Sequence, residues 1–310
     1  MKKTIVLAAA TTFGLAYLSS STMAQNTVYS DNFANDSSLS SSYLNINNIS
    51  GTVDEWTFAA NSELTLNDVG SGKLDDLVGS FSAVTLAQTG DYVSFVVNFN
   101  SPNIGLSGTS GNLLFALDSS KGVGLLSAGA GPESPTAATG STAGYIGYLG
   151  DIAANITPKT GTKMFAKTGA GNNDLSYNSD VTTETQISTS QPNGNNANLV
   201  NNDSYTLTYT ITSLNTGASQ NQITEQIYDN TLGEMVDNFS VGATNGASFI
   251  TPTTTYDTFD IGAYDGSVAG YNINLTGLSV LTNTSVPEPT SLALTGAGLA
   301  LVSLIRFRRR

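Results

Sequence analysis

The chain has 310 residues with neither cysteine nor histidine, which excludes disulfides, a cysteine nucleophile, a Ser-His-Asp triad and a His-ligated zinc site. Eleven basic residues stand against 24 acidic ones, and six of the basic ones (Lys2, Lys3, Arg306, Arg308, Arg309 and Arg310) lie at the two ends. Between residues 26 and 285 five lysines face 23 carboxylates, a formal charge of −18 that repels phosphate backbones and excludes nucleic acid as a partner.

Met1-Lys2-Lys3 is a short positive stretch, and Ile5 to Leu18 is mostly apolar. Small and polar residues follow from Ser19, and Thr22-Met23-Ala24 fits the small-x-small rule of signal peptidase. The order predicts a signal helix over 1–24, cut between Ala24 and Gln25, and hence export. The alternative is an uncleaved anchor, which the short apolar run and its small-residue flank disfavour.

Residues 25–285 are rich in Thr, Ser, Asn and Gly with interspersed aromatic and β-branched residues, a composition of strands and turns. The clearest strand is Ser204–Thr212. Tyr205, Leu207, Tyr209 and Ile211 fall on one side and Thr206, Thr208, Thr210 and Thr212 on the other. Further strands are predicted at Asp54–Phe58, Glu63–Asn67, Ser80–Leu86, Asp91–Phe99, Asn112–Leu117 and Thr162–Ala166. Later ones fall at Gln222–Tyr228, Met235–Phe239, Thr258–Ala263 and Tyr271–Leu281. Tyr92–Asn100 alternates less cleanly and reads as buried on both sides. Ser127–Gly144, Gly169–Asp180 and Ser190–Asp203 read as long surface loops.

About a dozen short strands in one cysteine-free body predict an all-β fold, a two-sheet jelly-roll sandwich. The order Asp91–Asn100, Asn112–Asp118, Ser204–Leu214, Ile223–Asp229 and Tyr271–Leu281 is similar to the concanavalin-like, laminin-G-like group. That resemblance implies carbohydrate contact as one use of the body.

The last 25 residues change character. Val286-Pro287-Glu288-Pro289 leads into Ser291–Ile305, fifteen residues without a charge, and the chain closes on Arg306-Phe307-Arg308-Arg309-Arg310. A fifteen-residue helix rises about 22 Å, short against a hydrocarbon core of about 30 Å. It suffices for transient retention as a single transmembrane helix, with the arginines snorkelling on the cytoplasmic side. Each proline fixes φ and removes a donor, and the residue before it is pushed toward extended backbone. The segment is therefore presented as an extended strand at the membrane surface.

This order of motif, apolar helix and basic cluster resembles the PEP-CTERM sorting signal of exopolysaccharide-producing Gram-negative bacteria. The resemblance covers residues 286–310. It implies an exosortase, a membrane-embedded enzyme that would process the chain near Pro287-Glu288-Pro289 and pass the body to the cell surface or extracellular matrix. The implied partners are signal peptidase and the exosortase, with membrane contact only through the tail before processing. The implied division is 1–24 signal peptide, 25–285 sandwich body and 286–310 sorting tail.

Three kinds of chemistry remain for the body. Glycoside hydrolysis needs only two carboxylates. The hydrolases on this sandwich carry Glu-x-Asp-x-x-Glu along one strand, and here Glu225, Asp229 and Glu234 have the wrong spacing. Calcium could use the oxygen-rich triplets Asn172-Asn173-Asp174 and Asn201-Asn202-Asp203, but neither follows the Asp-x-Asp-x-Asp-Gly loop, and Asx-rich turns more often cap their own backbone. No other cofactor is expected. Sugar stacking on an exposed aromatic is the third, and Trp56, the sole tryptophan, is expected in the core instead. The sequence therefore favours a non-enzymatic carbohydrate-binding or structural body. A polysaccharide hydrolase or lyase on the same fold and a protein-binding adhesin are the alternatives.

Overall fold

The computed structural model describes residues 25–33, 42–47, 56–58, 63–67, 73–104, 111–120, 146–153, 162–167, 184–188, 199–214, 220–242, 253–265 and 271–284, with isolated positions 36, 38 and 125. Fifteen strands run through these segments: β1 (Asn26–Asp31), β2 (Tyr43–Asn47), β3 (Trp56–Phe58), β4 (Leu64–Asn67) and β5 (Lys73–Thr85) come first. Then follow β6 (Tyr92–Ile104), β7 (Gly111–Ser119), β8 (Ile146–Ala153), β9 (Thr162–Lys167) and β10 (Glu184–Ser188). The series closes with β11 (Ser204–Ser213), β12 (Asn221–Asp229), β13 (Glu234–Gly242), β14 (Thr255–Asp265) and β15 (Tyr271–Thr282).

They form two antiparallel sheets. The eight-stranded sheet has the order β13-β12-β11-β6-β15-β4-β3, with β1 beside β15. The seven-stranded sheet has the order β10-β9-β8-β7-β14-β5-β2. Successive strands cross repeatedly between the sheets, so neither sheet is a simple meander. This is the two-sheet jelly-roll arrangement that the strand count and alternation predict.

Every strand expected from periodicity is present, several of them longer than its pattern indicates. Four others, β1, β2, β8 and β10, were not marked by their pattern. β6 departs from expectation in another way. Val93, Phe95, Val97 and Phe99 are buried, whereas Asn98 is exposed and Val96 half-buried, so Tyr92–Asn100 is buried on one side only, with Ser94 the buried exception. The signal segment 1–24 and the tail 286–310 lie outside the described residues, as does most of the three expected loops. Among the described residues no helix is long and apolar enough to cross a membrane.

The core lies between the sheets and is dominated by rings. Phe95 and Phe259 stack at 4.8 Å, Phe99 and Tyr205 at 5.4 Å, and Phe115 meets Tyr209 edge-on at 4.8 Å. Two glycines make this packing possible. A Cβ on Gly79 would fall inside the Phe259 ring, and one on Gly150 inside the Phe115 ring. A second, smaller cluster of Leu114, Ala116, Leu149 and Phe165 lies on the other side of the seven-stranded sheet.

The two ends of the body are neighbours. β1 pairs with β15 from Asn26↔Thr282 to Asp31↔Leu278, and the Asn26 side-chain amide donates to the Thr284 carbonyl at 3.3 Å. Gln25, just ahead of β1, is exposed.

Candidate functional site

The carboxylates expected to approximate a hydrolase strand do not converge. Glu225 alternates with Ile223 and Ile227 along β12, so it points into the core. It is fully buried and in register with Tyr209 on β11 and Phe239 on β13. Asp229 shares that side but sits at the strand end. Its Oδ1 accepts the backbone N–H groups of Thr231 and Leu232 at 2.8 and 2.9 Å and shapes the β12–β13 turn. Glu234 lies beyond Gly233, whose φ of 74° marks a left-handed turn residue, and is exposed. One acid is in the core, one holds a turn and one faces solvent. They share no cleft.

Glu225 belongs to a polar seam inside the sandwich. Asn221 donates through Nδ2 to the phenol oxygens of both Tyr148 and Tyr256, each at 3.3 Å, and Tyr256 Oη donates to the Thr253 carbonyl at 3.2 Å. Burial pushes the Tyr209 and Tyr256 phenols well above their ordinary range. The Asp118 carboxylate adds to this at both, and Glu225 at Tyr209. Both phenols stay protonated, and within the sandwich Asn221 joins Tyr256 to Tyr148.

Trp56 is 4 % exposed and packs in the main core, as expected, so it is no sugar platform. Asn201-Asn202-Asp203 is a backbone turn ahead of β11. Asn202 adopts a φ of 68°, the Tyr205 phenol accepts the Val200 N–H at 2.6 Å, and Asp203 N–H reaches the Val200 carbonyl. The triplet forms the turn that leads into β11. Asn172-Asn173-Asp174 lies outside the described residues. Among the described residues no group of three or more acidic side chains is placed to hold a metal ion.

The outward side of the seven-stranded sheet carries four buried acids. Asp76, Asp260, Asp118 and Asp151 are each at most 2 % exposed and alternate with the inward residues of β5, β14, β7 and β8. A Cβ on Gly147 would meet the Asp118 carboxylate, so that acid lies over the neighbouring strand.

The outward side of the eight-stranded sheet is different in kind. Register lines its residues up in rows across the strands. One row runs Thr57–Thr65–Asn274–Asn100–Ser204. A second runs Asn98–Thr206–Tyr228–Met235. The third runs Ser279–Val96–Thr208–Gln226–Asn238 and the fourth Leu281–Ser94–Thr210–Thr224–Ser240. Among the described residues no charged side chain occupies any of these positions. Glu234, exposed at the start of β13, pairs with Asp229 and stands outside these rows.

The hydroxyls and amides of this side bond to one another across strands. Thr206 donates to Asn98 Oδ1 at 2.9 Å, Ser94 and Thr210 share a hydrogen bond of 2.8 Å, and Gln222 Nε2 donates to Ser240 at 3.0 Å. At the β12–β13 end of the sheet Tyr228, Leu232 and Met235 are exposed by 39 %, 62 % and 40 %. The sequence shows part of this side in the Thr-x-Thr-x-Thr run of β11. The partners on β6, β12 and β13 emerge only from the register.

No family model and no curated protein matches the chain. Solved structures to which it is similar include the lectin UEA-II complexed with galactose, with 7 % identity, a TM-score of 0.45, and 84 % of this chain and 100 % of that chain covered. The carbohydrate recognition domain of Emp46p in its potassium-bound form shares 12 % identity at a TM-score of 0.43, over 83 % and 98 % of the two chains. Peanut lectin with a 9-mer peptide shares 9 % at 0.43, over 84 % and 97 %.

Proposed function

We propose that this chain is an exported protein of the cell surface or extracellular matrix of a Gram-negative bacterium, sorted through its C-terminal Pro-Glu-Pro tail. Its body is a non-enzymatic carbohydrate-binding or structural sandwich. The observation that carries the reading is the order at the C-terminus: Val286-Pro287-Glu288-Pro289, then fifteen uncharged residues, then Arg306, Arg308, Arg309 and Arg310. It is supported by the position of the body between the two signals. β1 starts two residues after Ala24, β15 ends four residues before Val286, and the two strands pair. Removal of both ends would leave every described strand in place.

The body reads as non-enzymatic because its nearest approach to a catalytic carboxylate strand is dispersed. Glu225 is sealed between the sheets, and general acid–base work on a polysaccharide requires contact with it. Intact-mass measurement on protein released by the producing cells tests the sorting. The mass should correspond to a chain beginning at Gln25 and lacking Arg306–Arg310. A released chain still ending in Arg310 would overturn the sorting reading. In a Pro287→Ala, Glu288→Ala variant the chain should stay in the membrane fraction with its tail intact.

A further inference from the structure

We infer that the outward side of the eight-stranded sheet is the surface that meets carbohydrate, and that it takes a neutral, uncharged polysaccharide. This rests on the carbohydrate-binding reading above and names the surface and ligand class for it. The first observation is charge. The chain carries a net −13, yet among the described residues the rows across β3, β4, β15, β6, β11, β12 and β13 hold no charged side chain. An acidic polymer is repelled by the body as a whole. A basic polymer would be drawn to carboxylates, which this side lacks. A neutral polyhydroxyl chain meets neither obstacle.

The second observation is chemistry. Threonine and serine hydroxyls and the amides of Gln226, Asn238 and Asn98 both donate and accept, as sugar hydroxyls do. Uncharged groups are far cheaper to desolvate than ions. The rows are evenly spaced along and across the sheet, so they suit a repeating chain more than a single compact ligand. The third is the exposed end. Tyr228, with Met235 opposite it and Leu232 in the adjoining turn, offers an aromatic and aliphatic patch to the C–H face of a sugar ring.

Adsorption of the full chain, purified in mild detergent, to insoluble neutral β-glucan, cellulose and cross-linked alginate tests this. The variants are Thr208→Lys and Tyr228→Ala, with Ser82→Lys, an exposed position on β5 of the other sheet, as control. Wild type and Ser82→Lys should adsorb to at least one neutral polymer and not to alginate. Thr208→Lys and Tyr228→Ala should each weaken adsorption by about tenfold or more while unfolding at nearly the wild-type temperature. Neutral adsorption unchanged in both variants overturns the surface but leaves the carbohydrate reading standing. Adsorption to alginate alone overturns the ligand class. Adsorption to none of the three contradicts the carbohydrate reading itself. A dimer in sedimentation that Thr208→Lys dissociates would reassign the surface to contacts between copies of the chain.

Discussion

Asn221 is the residue on which the internal polar seam turns, since its one side-chain amide serves two buried phenols. Asn221→Ala should lower stability by about 1–3 kcal/mol, the cost of leaving buried polar groups short of a partner, read as a lower denaturant midpoint with an unchanged slope. The same seam sets an alkaline limit. Tyr209 and Tyr256 hold their protons more tightly folded than unfolded, so their contribution is fully present below the ordinary phenol range and is lost as pH rises through and beyond it. Above about pH 10, stability should fall by up to about 1.4 kcal/mol per pH unit for each of the two. Phenolate absorbance for these two should rise with unfolding rather than before it; free ionisation in the folded protein would contradict the burial. Much at this scale is legible in the sequence. Alternation places Glu225 with Ile223 and Ile227, and it places Trp56 with Phe58 on one side of its strand. Alternation does not say that Tyr209 and Phe239 flank Glu225, because cross-strand neighbours depend on register.

At the scale of elements, strands with clean alternation or strong apolar runs were legible, and the four missed ones have physical reasons. β10 (Glu184–Ser188) is an edge strand with a single apolar residue, and β1 and β2 are edge pieces of six and five residues, too short for alternation to stand out. β8 reads Ile-Gly-Tyr-Leu-Gly-Asp-Ile-Ala, and its glycines weaken the strand pattern. Those glycines are needed by the packing, because the Phe115 ring occupies the space of a Gly150 side chain and the Asp118 carboxylate that of Gly147. Gly150→Ala and Gly79→Ala should each destabilise by about 1–3 kcal/mol through overpacking, measurable by thermal unfolding. Pairing Gly150→Ala with Phe115→Leu should recover part of the loss if the clash with the ring is the cause.

For the whole molecule, composition and alternation reach the all-β class and a two-sheet body. They do not reach which strand neighbours which, because each outward row combines residues more than a hundred positions apart, such as Val96 and Thr208. The uncharged surface is therefore a property of the assembled sheet, visible in β11 alone only as a threonine run. Charge works at this scale too. Along β12 and β13 the carboxylates Glu225, Asp229 and Asp237 are buried and Glu234 is exposed at the start of β13, so the rows themselves stay neutral.

The role of the body is decided by incubating the full chain with a panel of neutral and acidic polysaccharides, with and without calcium, and scoring both retention and depolymerisation. Retention on a neutral polymer without any cleavage, equal in the presence and absence of calcium, is the expected result. Depolymerisation abolished by Glu225→Gln, or retention that requires calcium, would contradict it.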